Sequence, residues 1–451
     1  MLFLLLMPQN DMNVHFISLG CPRNLVDTEM MLGRLLEEGH TISSDASRAD
    51  CVVVNTCAFI RPAVDESIDI ILEMTQWKKE VEGRRLVVTG CLPQRYGTDL
   101  ADSLPEVNAF LGTGAFHLIG DTIANPLDRA RMFLPPLQNI AGTYTGLARL
   151  QTTPPHMAYL KIAEGCSNHC TYCIIPKLRG RQRSRPVEEI LSEANTLVKA
   201  GTKELVLIAQ NTTAYGHDMD GDDDLAGLLR RLARIPKLTW IRVLYGHPDY
   251  INESLIEAVA THKNVCPYFD IPIQHASERI LKRMGRSHDI SYILELFERI
   301  RYKVPDAVIR TSLITGFPGE TEIDFTQLVD LIEKVRFDHL GVFTYSDDKD
   351  LPSSKLKGHL DDQVKQKRFE YLMKRQAGIS RGNNRKYIGN PLSVLVDKAA
   401  EGKDGMMIGR TVFQAPEIDG IVYINGTAEP GSLVTVRITE AHEYDLAGDI
   451  I

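Results

Sequence analysis

Three cysteines crowd into the stretch EGCSNHCTYCIIP, as Cys166, Cys170 and Cys173. Thiolate sulfur is a soft ligand, suited to zinc and to iron–sulfur clusters. A structural zinc site takes four ligands, usually as two well-separated pairs, and the C-x3-C-x2-C spacing does not supply them. His169 could serve as a fourth ligand, but it stands between the cysteines in a spacing that zinc knuckles do not normally use. Iron–sulfur clusters are held by cysteines, commonly four. A 4Fe–4S cube held by only three leaves one iron open, and an open metal position can activate a ligand. The spacing therefore favours a cluster with a free coordination site over zinc or a loop without metal.

Such a loop needs a rigid base. Strand-like runs recur at Met157–Ile162, Glu204–Gln210, Trp240–Gly246, Tyr268–Gln274, Val308–Gly316 and His339–Ser346, with helical segments such as Pro186–Gly201 between most of them. These βα units predict a partial (βα)6 TIM-like barrel over 156–376, open on one side, with Asp362–Gln376 as a closing helix. In such folds the active site lies at the C-terminal ends of the strands, and the three cysteines directly follow the first strand. Upstream, residues 13–140 read as a parallel α/β domain. Val14–Leu19, Cys51–Thr56 and Arg85–Gly90 are Val- and Ile-rich runs, each followed by a helix-like segment. Leu25–Gly39, ending on glycine, is the clearest of these helices. Cys21, Cys57 and Cys91 each stand just past one of the strands. Carboxyl ends of parallel strands gather along one edge, so these three can converge. The competing reading is that they are small buried hydrophobes. Cys51 opens its strand and Cys266 is isolated, so both read as core. Residues 141–155 read as a linker ending in a proline pair. Residues 378–451 alternate short strands with Gly, Asn and Pro turns, the pattern of a small antiparallel β-barrel.

A chain of 451 residues suits two to four domains. Its 43% hydrophobic and 24% charged residues are an ordinary globular balance. A net charge of -8 argues against a surface devoted to neutralising nucleic-acid phosphates. The 8 cysteines read as metal-binding or catalytic rather than as a disulfide framework. The opening MLFLLLM lacks the basic flank of a signal peptide and falls well short of the roughly twenty apolar residues of a membrane span. A cytoplasmic protein, with its fold starting near Met12 and no membrane partner, is expected.

On CSNHCTYC the chain resembles the radical S-adenosylmethionine enzymes. The resemblance implies that the open iron chelates the amino and carboxylate groups of S-adenosylmethionine, and that an electron from the cluster cleaves it to a 5′-deoxyadenosyl radical. Gly409–Gly420 (GRTVFQAPEIDG) and Ile424–Ile438 (INGTAEPGSLVTVRI) are similar to a TRAM domain. Together with Cys21, Cys57 and Cys91, these features make essentially the whole chain resemble the methylthiotransferases. That family implies two 4Fe–4S clusters, the second on Cys21, Cys57 and Cys91. Its open iron would carry the sulfur that S-adenosylmethionine methylates and that couples to a substrate carbon radical. Ser18–Glu29 (SLGCPRNLVDTE), Cys173–Gly180 (CIIPKLRG) and Ile271–Arg286 (IPIQHASERILKRMGR) look like one branch, which modifies the β-carbon of an aspartate in small-subunit ribosomal protein twelve. The branch that modifies a tRNA adenosine more typically has Gln where this chain has Pro22, and Ser-Gly where it has His275 and Ala276.

Charge points the same way. Residues 378–451 hold ten acidic against seven basic residues. A barrel meant for tRNA should present Lys and Arg, whereas an acidic face suits a basic ribosomal protein. The expected partners are that protein, free or on the ribosome, an external electron donor and a sulfur donor, with direct nucleic-acid binding not dominant. For S-adenosylmethionine the resemblance implies an aromatic near the adenine, here Tyr172. Gln210 and Asn211 at the end of the second barrel strand, Gln274 at the end of the fourth, and Arg310 and Thr311 on the fifth suit hydrogen bonds to its methionine or ribose. The alternative is that they are structural polar groups. The glycines of Gly316–Glu320 (GFPGE) would let backbone approach adenine. Two other functions compete: a tRNA adenosine methylthiotransferase, and a non-enzymatic zinc-bearing RNA-binding protein.

Overall fold

The computed structural model describes residues 11–124, 131–137, 148–403 and 405–451; the apolar start MLFLLLM and residues 141–147 of the expected linker lie outside them. The chain divides into two compact units. One comprises Met1–Thr152, Glu164–Asn168 and Cys173–Arg183; the other comprises Thr153–Ala163, His169–Tyr172 and Ser184–Ile451.

The first unit runs β1 (Asn13–Ser18), α1 (Pro22–Glu37), β2 (Thr41–Ser43), β3 (Cys51–Thr56), α2 (Arg61–Glu80), β4 (Arg85–Gly90), α3 (Cys91–Ser103), β5 (Ala109–Leu111), α4 (Ile119–Ala124) and β6 (Arg131–Phe133). Its strands form one parallel sheet in the order β2-β1-β3-β4-β5-β6. All of β3 and nearly all of β4 are buried. That is why both strands read as continuous apolar runs: each is covered on both faces. Cys51 lies in this core, and burial pushes its thiol up to about 12. Pro22 occupies the start of α1, where a missing N–H removes no helical hydrogen bond.

The chain continues through β7 (Met157–Lys161), β8 (Ala163–Glu164), α5 (Ile175–Arg179), which belongs to the first unit, and β9 (Arg183–Ser184). In the second unit β7, β10 (Glu204–Ile208) and β11 (Trp240–Val243) form one parallel sheet, in the order β11-β10-β7. A second parallel sheet holds β12 (Tyr268–Asp270), β13 (Val308–Thr315) and β14 (His339–Thr344). A lone parallel bridge from Ile241 to Val265, just ahead of β12, links the two halves. The result is the expected six-stranded partial barrel, with β7 and β14 as its unpaired edges among the described residues.

Helices α6 (Val187–Lys199), α7 (Leu225–Leu232), α8 (Glu253–Thr261), α9 (Glu278–Met284), α10 (Ile290–Lys303), α11 (Glu322–Val335) and α12 (Asp362–Asn384) intersperse these strands or follow the last of them. One hydrophobic core joins strands and helices, from Ala158 on β7 to Ile379 on α12. α12 runs beyond the expected stop at Gln376, through Gly378 and Gly382, despite the poor helix propensity of glycine. Tertiary bonds hold its last turns: Gln376 Nε2 donates to the Phe337 carbonyl at 2.7 Å and Ser380 Oγ to the Asp338 carbonyl at 2.9 Å.

The chain ends in a closed barrel of β15 (Pro391–Ala399), β16 (Met406–Arg410), β17 (Val422–Asn425), β18 (Leu433–Ala441) and β19 (Leu446–Ile450), in the order β15-β16-β17-β19-β18. Four pairings are antiparallel, but β17 and β19 run parallel. The chain crosses to β18, beside β15, before it returns next to β17, so the strand that closes the barrel arrives in the same direction as β17.

The segment from Arg410 to Asp419 leaves this barrel and packs onto the amino ends of the parallel strands. Arg410 Nη1 meets Glu204 at 2.7 Å, and Glu204 also binds Arg242 Nε at 2.8 Å. Arg242, fully buried, donates to the Val412 carbonyl at 2.8 Å. The Tyr159 hydroxyl donates to Glu417 at 2.9 Å and the Tyr268 hydroxyl to Asp419 at 2.5 Å. Polar side chains at the start of two strands, Glu204 and Tyr268, and midway along two others, Tyr159 and Arg242, therefore find partners in this loop, which floors one end of the half-barrel.

Candidate functional site

Cys21 caps the start of α1 directly after β1, Cys57 follows β3, and Cys91 opens α3 after β4. Because β1, β3 and β4 are neighbours in the sheet, the three cysteines share one carboxyl edge. That edge spans the point where the strand order turns back, which is where open α/β sheets bind ligands. Gly20, at φ +90, lies so close that a Cβ there would fall 2.6 Å from Cys57 Cβ. Asn24 and Asn55 brace the edge. Asn24 Nδ2 donates to the Thr56 carbonyl at 2.8 Å, and Asn55 Nδ2 donates to the Asn24 carbonyl at 2.8 Å.

The three thiols sit in one electrostatic field. Burial pushes Cys57 up to about 11, reinforced by Cys91 and Cys21. Burial also raises Cys91, against the pull of Arg179. At Cys21 burial is outweighed by Arg23 and Arg179, and the thiol falls below its ordinary value. Arg179, at the end of α5, is 2% exposed. Its Nη1 binds Asp27 at 2.7 Å and Glu164 at 3.3 Å. Its Nη2 binds Asn24 Oδ1 and lies 3.6 Å from Cys91 Sγ. Among the described residues no three His, Cys, Asp or Glu side chains gather tightly enough to grip a single ion. A cube spreads its thiolates over separate irons, and three thiols beside a buried cation that offsets thiolate charge fit such a group.

Cys166 and Cys173 also belong to the first unit. The Cys166 N–H donates to the Gly180 carbonyl at 3.0 Å. Gly165, at φ +82, must be glycine, because a Cβ would lie 2.2 Å from the Arg181 carbonyl oxygen. Cys170 and Tyr172 belong to the second unit. There Thr171 is pinned by its N–H to the Met284 carbonyl at 2.9 Å and by its hydroxyl to the Arg283 carbonyl at 2.8 Å. Tyr172 packs against the small buried cluster of Ile280, Met284, Phe317 and Tyr345. Arg286 Nε donates to the Tyr172 hydroxyl at 3.2 Å and its Nη2 to the Pro272 carbonyl at 3.1 Å. Its Nη1 is buried and has no hydrogen-bond partner among the described residues. Burial opposes the charge on Arg286, but Tyr172 and Cys170 beside it more than compensate. A buried cationic donor beside Cys170 fits an anionic group of a bound cosubstrate. The reading of single motifs missed Arg286; the only signal was its place at the end of the branch-like stretch Ile271–Arg286.

The GFPGE turn is built around its own carboxylate. Glu320 accepts from the Gly316 N–H at 2.7 Å and the Phe317 N–H at 3.4 Å, and pairs with Arg368 at 2.5 Å. His275 completes the set. Its Nδ1 accepts from the Ser277 N–H at 2.9 Å, which leaves Nε2 to donate to Glu320 at 3.3 Å. Gln274, half-buried beside it, adopts φ 74, and Tyr245, past the end of β11, adopts φ 64. Left-handed backbone in non-glycine residues is strained, and here it occurs past two strand ends. Gln210 follows β10 at the same end and is half-buried, next to buried Asn211.

Arg310 stands elsewhere. It is the third residue of β13, about 17 Å from Thr315 at the usual rise per residue. Its guanidinium binds Asp270 at 3.0 Å and Asp419 at 3.5 Å. Thr311 donates to the Ile271 carbonyl at 2.7 Å. Both serve the floor and wall of the half-barrel rather than the carboxyl ends. Cys266 is buried core, its thiol raised to about 11 by burial.

Three family models match the chain: the Radical SAM superfamily over residues 160–332, the Uncharacterized protein family UPF0004 over 13–112, and the TRAM domain over 388–451. The ribosomal protein uS12 methylthiotransferase RimO of Desulfosudis oleivorans is 49% identical over 441 residues, covering 97% of this chain and 100% of that protein. The proteins of the same name from Geobacter sulfurreducens and Clostridioides difficile are each 47% identical, over 97% and 96% of this chain and 98% of each of theirs. Among solved structures, the radical S-adenosylmethionine methyltransferase TsrM of Kitasatospora setae aligns with a TM-score of 0.54 at 14% identity, over 73% of this chain and 72% of that one. This last likeness concerns the fold alone.

Proposed function

The chain belongs to the RimO family of ribosomal protein uS12 methylthiotransferases, and on that premise we propose that it adds a methylthio group to the β-carbon of an aspartate in protein uS12, using S-adenosylmethionine and two 4Fe–4S clusters. Cys166, Cys170 and Cys173 hold the first cluster, and Cys21, Cys57 and Cys91 hold the second. When bound, these groups supply the radical and the sulfur; the chain holds them, orients them and keeps water away. Arg286 and Tyr172 steady the cosubstrate beside Cys170. Glu320, held by His275 and Arg368, fixes the GFPGE turn so that its backbone can approach the cosubstrate. Gln210 and Gln274 stand at the same strand ends and contribute polar contacts.

One observation carries the reading: a second set of three cysteines lies along the β1, β3 and β4 carboxyl edge, in a chain whose barrel segment already matches a radical S-adenosylmethionine family. The choice of a protein substrate over tRNA is supported by the full-length relatives and by the final barrel. Glu401, Glu429, Glu440, Glu443 and Asp449 are exposed there, against Lys398, Lys403 and Arg437. Electrons and sulfur come from external donors, the substrate is met free or on the ribosome, and the activity is cytoplasmic.

The deciding experiment is a competition. Reconstituted enzyme receives S-adenosylmethionine, reductant, sulfide, protein uS12 and an unmodified tRNA together, and both macromolecules are read by mass spectrometry. A methylthio mass gain on the aspartate alone is expected. A gain on tRNA alone would overturn the choice of substrate and leave the two-cluster chemistry standing.

A further inference from the structure

Arg179 is an expensive residue to bury. Its guanidinium sits among Asp27, Glu164 and Asn24, and such a buried ion group seldom stabilises a fold better than apolar packing does. Arginine keeps its charge under all ordinary conditions. Two carboxylates and an amide fix the side chain, and this holds Nη2 3.6 Å from Cys91 Sγ. The same helix, α5, follows directly on Cys173.

Hydrogen bonds to ligating sulfurs and local charge are among the factors that set the reduction potential of an iron–sulfur cluster. A cluster held by these cysteines would also have an electron balance to meet. If it gave up a sulfur to a carbon radical, one electron of the iron–sulfur pair would enter the new carbon–sulfur bond and the other would remain with the metal, which would end one electron richer. A fixed cation at one ligating sulfur favours that state.

We propose that Arg179 is a positioning residue that, acting through Cys91, raises the reduction potential of the cluster held by Cys21, Cys57 and Cys91. This rests on the assignment of a second cluster to those cysteines, and the test separates the two ideas. In a full-length chain with Cys166, Cys170 and Cys173 all changed to Ala, only the second set remains. After anaerobic reconstitution, iron content and an EPR-monitored redox titration are measured. About four irons per chain are expected from a single cube; no iron in this parent chain would overturn the cluster assignment itself.

With iron bound, Arg179→Gln should lower the ratio of reduced to oxidised cluster at a fixed potential about tenfold, a one-electron midpoint lower by about 59 mV. Arg179→Lys, which keeps the charge, should stay closer to the parent. Arg179→Gln removes the cation beside two buried carboxylates, so Arg179→Gln combined with Asp27→Asn, which preserves net charge, should shift the midpoint in the same direction. An unchanged midpoint in the neutral variants, with iron retained, overturns the proposal. A second measurement guards against Arg179 variants that lose iron. In the parent chain carrying Arg23→Lys and grown with 15N-arginine, the reduced cluster should still show a weak arginine nitrogen coupling by pulsed EPR, and its absence overturns the proposal as well.

Discussion

Cys57 and Cys166 have separable roles in the proposed reaction, so their loss should read differently. Cys166→Ala should abolish both 5′-deoxyadenosine and the methylthio product. Cys57→Ala should spare 5′-deoxyadenosine and lose the product; normal product from that variant would refute the second cluster. Chromatography of both products from one reaction checks this. His275 can be tested just as directly. It is buried, and its Nε2 is one of the donors to Glu320, which holds the GFPGE turn. His275→Ser should remove that donor and loosen the turn. A loss of about 1.4 kcal/mol would appear as roughly tenfold weaker S-adenosylmethionine binding by calorimetry. The cysteines were legible in the sequence because their type and spacing are their chemistry. Arg179 was not, since its partner Asn24 lies 155 positions away and nothing in either neighbourhood announces the other. Arg310 was legible as a residue of the fifth barrel strand; its pairing with Asp270 and Asp419 was not, because a position along a strand is visible in sequence but what packs against it is not.

The turns and strand starts carry their own tests. Gly20 sits at φ +90 against Cys57. Gly20→Ala should cost about 1–3 kcal/mol in backbone strain and displace Cys57, so the variant should keep less iron in the second set, read by iron analysis. At the start of β10, Glu204 joins Arg242 and Arg410 in full burial. Glu204→Gln should lower stability by about 3–5 kcal/mol, as expected when one partner of a buried ion group is removed, measured by urea unfolding. Burial disfavours the Glu204 carboxylate, but Arg410 and Arg242 outweigh it and hold its pKa below the ordinary 4.5. The unfolded chain binds this proton first, so the stabilisation is complete above about 4.5 and fades as pH falls through the lowered native value. The acid dependence should flatten in the Gln variant. The strands themselves were legible because buried parallel strands are continuous apolar runs. The length of α12 was not, because side-chain bonds to the Phe337 and Asp338 carbonyls carry the helix past two glycines.

For the whole molecule, the sequence conveyed three architectures in the right order, and among the described residues no helix is long and apolar enough to cross a membrane. It did not convey that the terminal barrel is built into the one before it. Removing residues 388–451 should therefore leave Arg242, Tyr159 and Tyr268 without the partners recorded for them in the Arg410–Asp419 loop. The shortened chain should melt lower and less cooperatively by calorimetry, rather than lose only its hold on substrate. The same floor constrains how such chains can be recombined. A designer who exchanges terminal barrels between a protein-modifying and a tRNA-modifying enzyme exchanges part of the catalytic half-barrel as well. A chimera joined after α12 inherits Glu204, Tyr159 and Tyr268 from one parent and their partners Arg410, Glu417 and Asp419 from the other. Substrate preference can be transplanted only together with the lock at Arg410, Glu417 and Asp419, or with both halves of it redesigned.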